Sequence, residues 1–152
     1  MPYLTPTVTL RGTLSTTGED GSWAVTAGAA VAAGSTLVIA GGGFTGGSQA
    51  TLITGITDTS GNTWANLTNT ATSGDYTPNA FIAVAQNVAA GTPTVTITND
   101  MSTDTRPSFV LLEITNVPTS SAVDVIVPGQ SDGVAYSVTS DSTGTLSQTD
   151  YV

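Results

Sequence analysis

"TPTVTITN", residues 92–99, alternates hydroxyl and apolar side chains without a break. Successive side chains of a β-strand point to opposite faces. The run therefore sends Val95 and Ile97 inward and Thr94, Thr96 and Thr98 outward, as a half-buried antiparallel strand does. The period persists on either side. "TPTVTLRGTL" (5–14) puts Val8, Leu10 and Leu14 on one face and Thr7, Thr9 and Arg11 on the other. "AFIAVAQNV" (80–88) and "SFVLLEITNV" (108–117) are apolar on both faces and read as central strands. "STLVIAGG" (35–42) and "SQATLITGIT" (48–57) read as a further pair around the loop Gly43–Gly47, and "TWANLTNTAT" (63–72) follows. Turn residues separate these runs every ten or so positions. The pattern predicts an all-β fold: an antiparallel β-sandwich, jelly-roll or Ig-like, of about 8–10 short strands. Residues 27–34, "AGAAVAAG", are Ala-rich but bracketed by Gly, and support at most one helical turn.

The expected organisation is one sandwich domain over 1–117, carrying an N-terminal arm (1–14), and a C-terminal segment, 118–152. That segment holds two further apolar alternations near 122–127 and 133–139, and reads as an arm or as the start of a continuing domain. "AVTAGAAVAAGSTLVI" (24–39) and "SVTSDSTGTLSQTDYV" (137–152) echo each other weakly.

Composition narrows the function classes. The 152 residues contain two cationic side chains, Arg11 and Arg106, against eleven acids, for a net charge of −9. Binding to phosphates needs several Lys or Arg, so neither nucleic acid nor an anionic membrane surface is an expected partner. Charged residues are 9% of the chain, against about a quarter in ordinary domains. Thr, about a fifth of the residues, supplies the polar surface instead. With no His, Cys or Lys, the usual general base, thiol nucleophile, zinc ligands and Schiff-base amine are missing. No catalytic residue and no cofactor is expected. "MPYLTPTVTLRG" has neither a cationic nor an apolar leader region. A component of a particle released by lysis needs none.

Several stretches carry both a functional and a structural reading. In "GITDTSGNTWANL" (55–67), Asp58 and Asn62 are a weak candidate for Ca²⁺, which takes six to eight oxygens. One carboxylate and one amide fall short, and each residue also fits a tight hairpin: Asp58 in an Asx turn, Gly61 and Asn62 at φ > 0. Glu113 lies inside an apolar strand, where a charge is costly unless paired. The preferred reading is a carboxylate bonded to Thr, Tyr or Arg; the alternative is an acid catalyst with a raised pKa. The acids Glu19, Asp20, Asp100 and Asp104 lie in loops. "GGGFTGG" (41–47) lacks a phosphate-loop Lys and reads as a flexible contact tip presenting Phe44. Phe44, Trp64 and Tyr76 are the interaction candidates. Trp23, Trp64, Tyr76 and Tyr136 would suit sugar stacking, although scattered aromatics more often serve a core or its rim. "NLT" (66–68) is a formal glycosylation sequon.

The order of "GSTLVIAGGG" (34–43), "ITDTSGNTWANL" (56–67), "FIAVAQNVAAGTPTVTIT" (81–98) and "SFVLLEITNV" (108–117) resembles a β-sandwich domain family found in tailed-phage virion proteins and in some bacterial surface proteins. The shared features are a Gly-led strand, the turn Asp58-Thr59-Ser60-Gly61-Asn62-Thr63-Trp64, the turn Asn87-Val88-Ala89-Ala90-Gly91, and a strand carrying Glu113. The resemblance implies a structural or adhesive role and supplies no catalytic residues. The expectation is a capsid decoration or fibre-base subunit on the virion surface, a homotrimer held by the major capsid protein or other virion proteins. The alternatives are a carbohydrate-binding or adhesin module at a cell surface, and an extracellular filament subunit joined by strand donation.

Overall fold

In the computed structural model, residues 5–15, 21–45, 53–71, 77–99 and 106–119 are described, with side chains except at 43–45, 66–71 and 77–79. Eight strands form: β1 (Thr7–Ser15), β2 (Ser22–Thr26), β3 (Thr36–Thr45), β4 (Ile53–Asp58), β5 (Trp64–Ala71), β6 (Thr77–Ala85), β7 (Thr94–Asn99) and β8 (Ser108–Thr115). They make two antiparallel sheets, β1-β8-β3-β6-β5 and β2-β7-β4. Among the described residues there is no helix. Residues 27–35 contribute a single turn, closed by the Ser35 N–H on the Ala32 carbonyl at 3.3 Å.

The pairing is nested: β1 with β8, β2 with β7, β3 with β6. A long ribbon folded back on itself gives this order, and two such Greek keys make an eight-stranded jelly roll. Here β5 lies on β6 in the larger sheet. Every connection except β5–β6 passes from one sheet to the other. The expected β3–β4 pair therefore does not exist: β3 pairs with β6 and β8, and β4 with β7. Closeness along the chain suggested a hairpin, but each strand has an apolar face that is better covered across the sandwich. For the same reason "TSGN" is an arch between sheets and not a hairpin.

Strand composition matches position. β6 and β8, apolar on both faces, are internal to the five-stranded sheet, and Thr-rich β7 is central in the smaller one with Val95 and Ile97 fully buried. The core lies between the sheets. Trp23, Val25, Ile53, Val95 and Ile97 face Leu37, Ile39, Phe81, Phe109 and Leu111. Phe109 lies 5.8 Å from Trp23 and 6.5 Å, edge-on, from Phe81, measured between ring centroids. Both phenyl rings flank Gly41, which pairs with Phe81 on one side and Phe109 on the other. A Cβ on Gly41 would sit 2.6 Å from Phe109 Cδ1 and collide with the Ser108 carbonyl oxygen. Glycine here lets an aromatic ring lie directly on the backbone.

β1 departs from its expected facing. Leu10 pairs with Leu112 and Gly12 with Leu111, leaving Arg11 as an extra residue. Such a β-bulge resets the alternation. Before it Thr9 points inward beside Glu113, and after it Leu14 packs on the core. Val8 and Leu10 therefore face outward, 60% and 59% exposed. Residues 7–14 of the expected N-terminal arm belong to this edge strand. The expected strands at 122–127 and 133–139 lie outside the described residues.

Candidate functional site: the polar end of the sandwich

At one end of the sandwich meet the end of β4, the starts of β3, β5 and β7, the bulge of β1, and the loops 27–35, 58–64 and 86–94. Of the side chains singled out in the sequence, Asp58, Asn62, Trp64 and Glu113 gather there.

Glu113 lies on β8 between Thr9 of β1 and Leu37 of β3. It points inward and is 0% exposed. Its Oε2 accepts from Arg11 Nε at 2.7 Å and from Arg11 Nη2. Its Oε1 accepts from the Ala32 backbone N–H at 2.6 Å. The β1 bulge makes this possible: Arg11 is the extra residue, and it reaches the inward-pointing Glu113 although Leu10 before it faces outward. Burial alone would push the Glu113 pKa up. The Ala32 N–H and then the Arg11 guanidinium outweigh that effect and hold the carboxyl below its ordinary value of 4.5. The group is an ionised structural carboxylate, the opposite of a proton donor tuned upward.

Asp58 ends β4 and organises its own turn. Its Oδ1 accepts from the N–H groups of Ser60 at 2.7 Å and Asn62 at 3.3 Å. Its Oδ2 accepts from Asn62 Nδ2 at 2.9 Å and Trp64 Nε1 at 2.7 Å. Gly61 takes φ +72°, which glycine adopts without strain; Asn62, expected beside it at positive φ, is not among the positive-φ residues. Desolvation pushes the Asp58 carboxyl up, and the bonds from Asn62, Trp64 and Ser60 more than reverse it, leaving it below its ordinary 3.8.

The turn is then tied to its neighbours. Asn62 Oδ1 accepts from the Ala89 N–H at 2.9 Å, and Thr59 Oγ1 from the Thr94 N–H at 3.0 Å. Val31 and Gly91 exchange backbone bonds of 2.7 and 3.3 Å, and Gly34 and Ser35 bond Val88 at 2.9 and 3.0 Å. Asn87 adopts φ 53° to turn this loop. The three turns and Glu113 thus form one hydrogen-bonded end plate.

The sequence candidates resolve as follows. Asp58 and Asn62 do meet, but their oxygens face N–H donors: four on the carboxylate and one on the amide oxygen. The acceptor positions that Ca²⁺ would need are bonded already. Among the described residues no three His, Cys, Asp or Glu side chains come together. Trp64 packs its ring against the core and spends its N–H on Asp58. Phe44 lies in β3, where only the backbone is described, and the sequon 66–68 lies in β5. Tyr76, Tyr136, Glu19, Asp20, Asp100 and Asp104 lie outside the described residues. The reading of Glu113 as a carboxylate bonded to Thr, Tyr or Arg agrees with the structure, but it did not single out Arg11, although only two cationic side chains in the chain were available to pair with it.

No family model, no curated protein and no solved structure matches this chain.

Proposed function

We propose that this protein is a non-enzymatic building block: a structural virion protein that decorates or braces the outside of a phage particle. The observation that supports it best is the state of Glu113 and Asp58. A general acid or base must reach a substrate proton within hydrogen-bond distance. Glu113 is sealed in the core, and the oxygens of Asp58 are taken by its own turn. Polar chemistry at this end goes into locking loops together. A rigid sandwich with few charges suits a part held in a repeating assembly, where the particle's symmetry calls for a symmetric oligomer. The sequence resemblance to virion sandwich domains points the same way. The jelly-roll order alone does not choose, since capsid, lectin and enzyme domains all use it. Sugar binding gains no support from Trp64, which is engaged inside the protein.

The reading is tested by immunogold electron microscopy of a lysate containing the chain at its natural level, together with light scattering of the purified protein. Gold on particle surfaces and a trimeric mass are expected. Gold absent from every particle, with a monomer in solution, would refute it.

A further inference from the structure

β1 is the outermost strand of the five-stranded sheet, and among the described residues it pairs with β8 alone. Its two halves differ. From the bulge onward it is drawn against the smaller sheet. The Arg11 carbonyl accepts from the Gly28 N–H at 2.7 Å, and a Cβ on Gly12 would stand 2.6 Å from the Thr26 carbonyl oxygen. Before the bulge, Thr7–Leu10 run in unbroken register with Thr115–Leu112. Among the described residues no strand pairs with their other side.

A free edge of this kind is a template for another strand, and proteins blunt it with Lys, Pro or inward-pointing charges. Thr7–Leu10 contains neither Pro nor any charge. The nearest charge, Arg11, is turned inward onto Glu113. The margin is also apolar. Among the described residues the exposed large hydrophobics are Val8, Leu10 and Ile82, and the two on β1 are the most exposed, at 60% and 59%. The edges of the smaller sheet, β2 and β4, present Thr26 and Thr57 instead.

Charge and symmetry decide what this edge accepts. The chain carries a net charge of −9, which tends to keep copies apart. The described acids are away from this margin: Asp58 lies on β4 in the other sheet and Glu113 is buried. Two copies can therefore meet here without opposing charges. A twofold contact needs a surface that complements itself, and Thr7-Val8-Thr9-Leu10 is one. Antiparallel pairing about Thr9 sets Val8 of each copy opposite Leu10 of the other on the outer face, and Thr9 opposite Thr9 on the inner face. Cross-strand pairs of both kinds stabilise a sheet.

We propose that Thr7–Leu10 is a docking edge for a second copy of this chain, paired antiparallel about Thr9, so that the two five-stranded sheets run on as one. So short an edge buries far less than a stable dimer needs, and the contact therefore joins copies held at high local concentration. The inference is independent of any virion role.

The chain contains no cysteine, so introduced ones report without background. Full-length Val8→Cys and Leu10→Cys variants are mixed in equal amounts at high protein concentration and oxidised with glutathione disulfide, and the products are separated by mass. Directly opposed Cβ atoms lie closer than diagonal ones, so the disulfide between the two variants should exceed either self-disulfide about tenfold. A statistical mixture would mean random collision, an excess of self-disulfides another register, and no disulfide no contact; each overturns the proposal. A second measurement needs no cysteine. Sedimentation velocity of the full-length protein should show a mass that rises with concentration, and Leu10→Lys, at an exposed site, should abolish the rise while tryptophan fluorescence stays unchanged. A rise that survives Leu10→Lys, or no rise in the unmodified protein, contradicts the docking edge. If fluorescence shows that Leu10→Lys has unfolded the protein, the disulfide result decides.

Discussion

Glu113 and Asp58 occupy the same end of the sandwich and are both held ionised by hydrogen bonds, yet they are built in opposite ways. Every bond to the Asp58 carboxylate comes from residues two to six positions ahead. Glu113 draws its bonds from Arg11 and Ala32, separated from it by 102 and 81 positions. The first is a local device, formed by any chain that makes the turn. The second exists only when β1, β8 and the 27–35 loop have assembled. A buried charge with distant partners is safe only in the finished fold, so it discriminates against alternatives such as β1 pairing in another register. This specificity role is a hypothesis of the kind attested for some buried ionic groups.

The largest expected effect follows from breaking the distant pair. Arg11→Ala leaves Glu113 charged and buried, and should cost about 3–5 kcal/mol in urea unfolding. The double variant Arg11→Met with Glu113→Leu removes both charges and should lose far less, or nothing. If the single and double variants were equally unstable, the pairing would not be the source of the loss. Asp58→Ala leaves several donors without an acceptor at a half-open site and should cost about 1–3 kcal/mol. Its loss should be visible also as a change in Trp64 fluorescence, which Arg11→Ala would not produce while the protein stays folded. A comparable loss in both variants would erase the distinction between local and distant construction.

Acid sharpens the comparison. Both carboxyls have folded-state pKa values below their ordinary ones. Each contributes stability that is present in full above the ordinary value and lost as the pH falls through the folded one. Chemical denaturation from pH 7 down to pH 3 should therefore show stability constant at first and falling below about 4.5. Asp58→Asn should make the fall shallower. A rise in stability on acidification would contradict both assignments. Smaller still, Asn62→Ala removes the tie to Ala89 and one of the four donors to Asp58, and should cost about 1–2 kcal/mol. Adding millimolar Ca²⁺ or a chelator should leave the melting temperature unmoved, since Asp58 and Asn62 present oxygens that already accept N–H bonds.

What could be seen in the sequence follows the same division. The period of two, the buried pair Val95 and Ile97, the central positions of β6 and β8, and the Asx turn at Asp58 all depend on neighbours in sequence, and all were legible. The separation of β3 from β4 was not, because it depends on which sheet covers which. Nor was the facing of Val8 and Leu10, because alternation carries no mark of the bulge at Arg11. Glu113 announced a need for a partner of Thr, Tyr or Arg type, but not which one. One further step was available: with Arg11 and Arg106 the only cations, the partner was one of two, and a bulge could have been sought beside either.

The central claim is that Glu113 is an ionised carboxylate locked into the fold and not an acid held protonated for chemistry. Carbon-13 NMR titration of the Glu113 side-chain carboxyl, assigned against Glu113→Gln, tests it directly. The account predicts a midpoint below 4.5, together with slow-exchanging Arg11 Nε–H and Ala32 N–H signals that vanish as the carboxyl protonates. A midpoint above 4.5, with the Arg11 signal in free exchange with solvent at neutral pH, would contradict it.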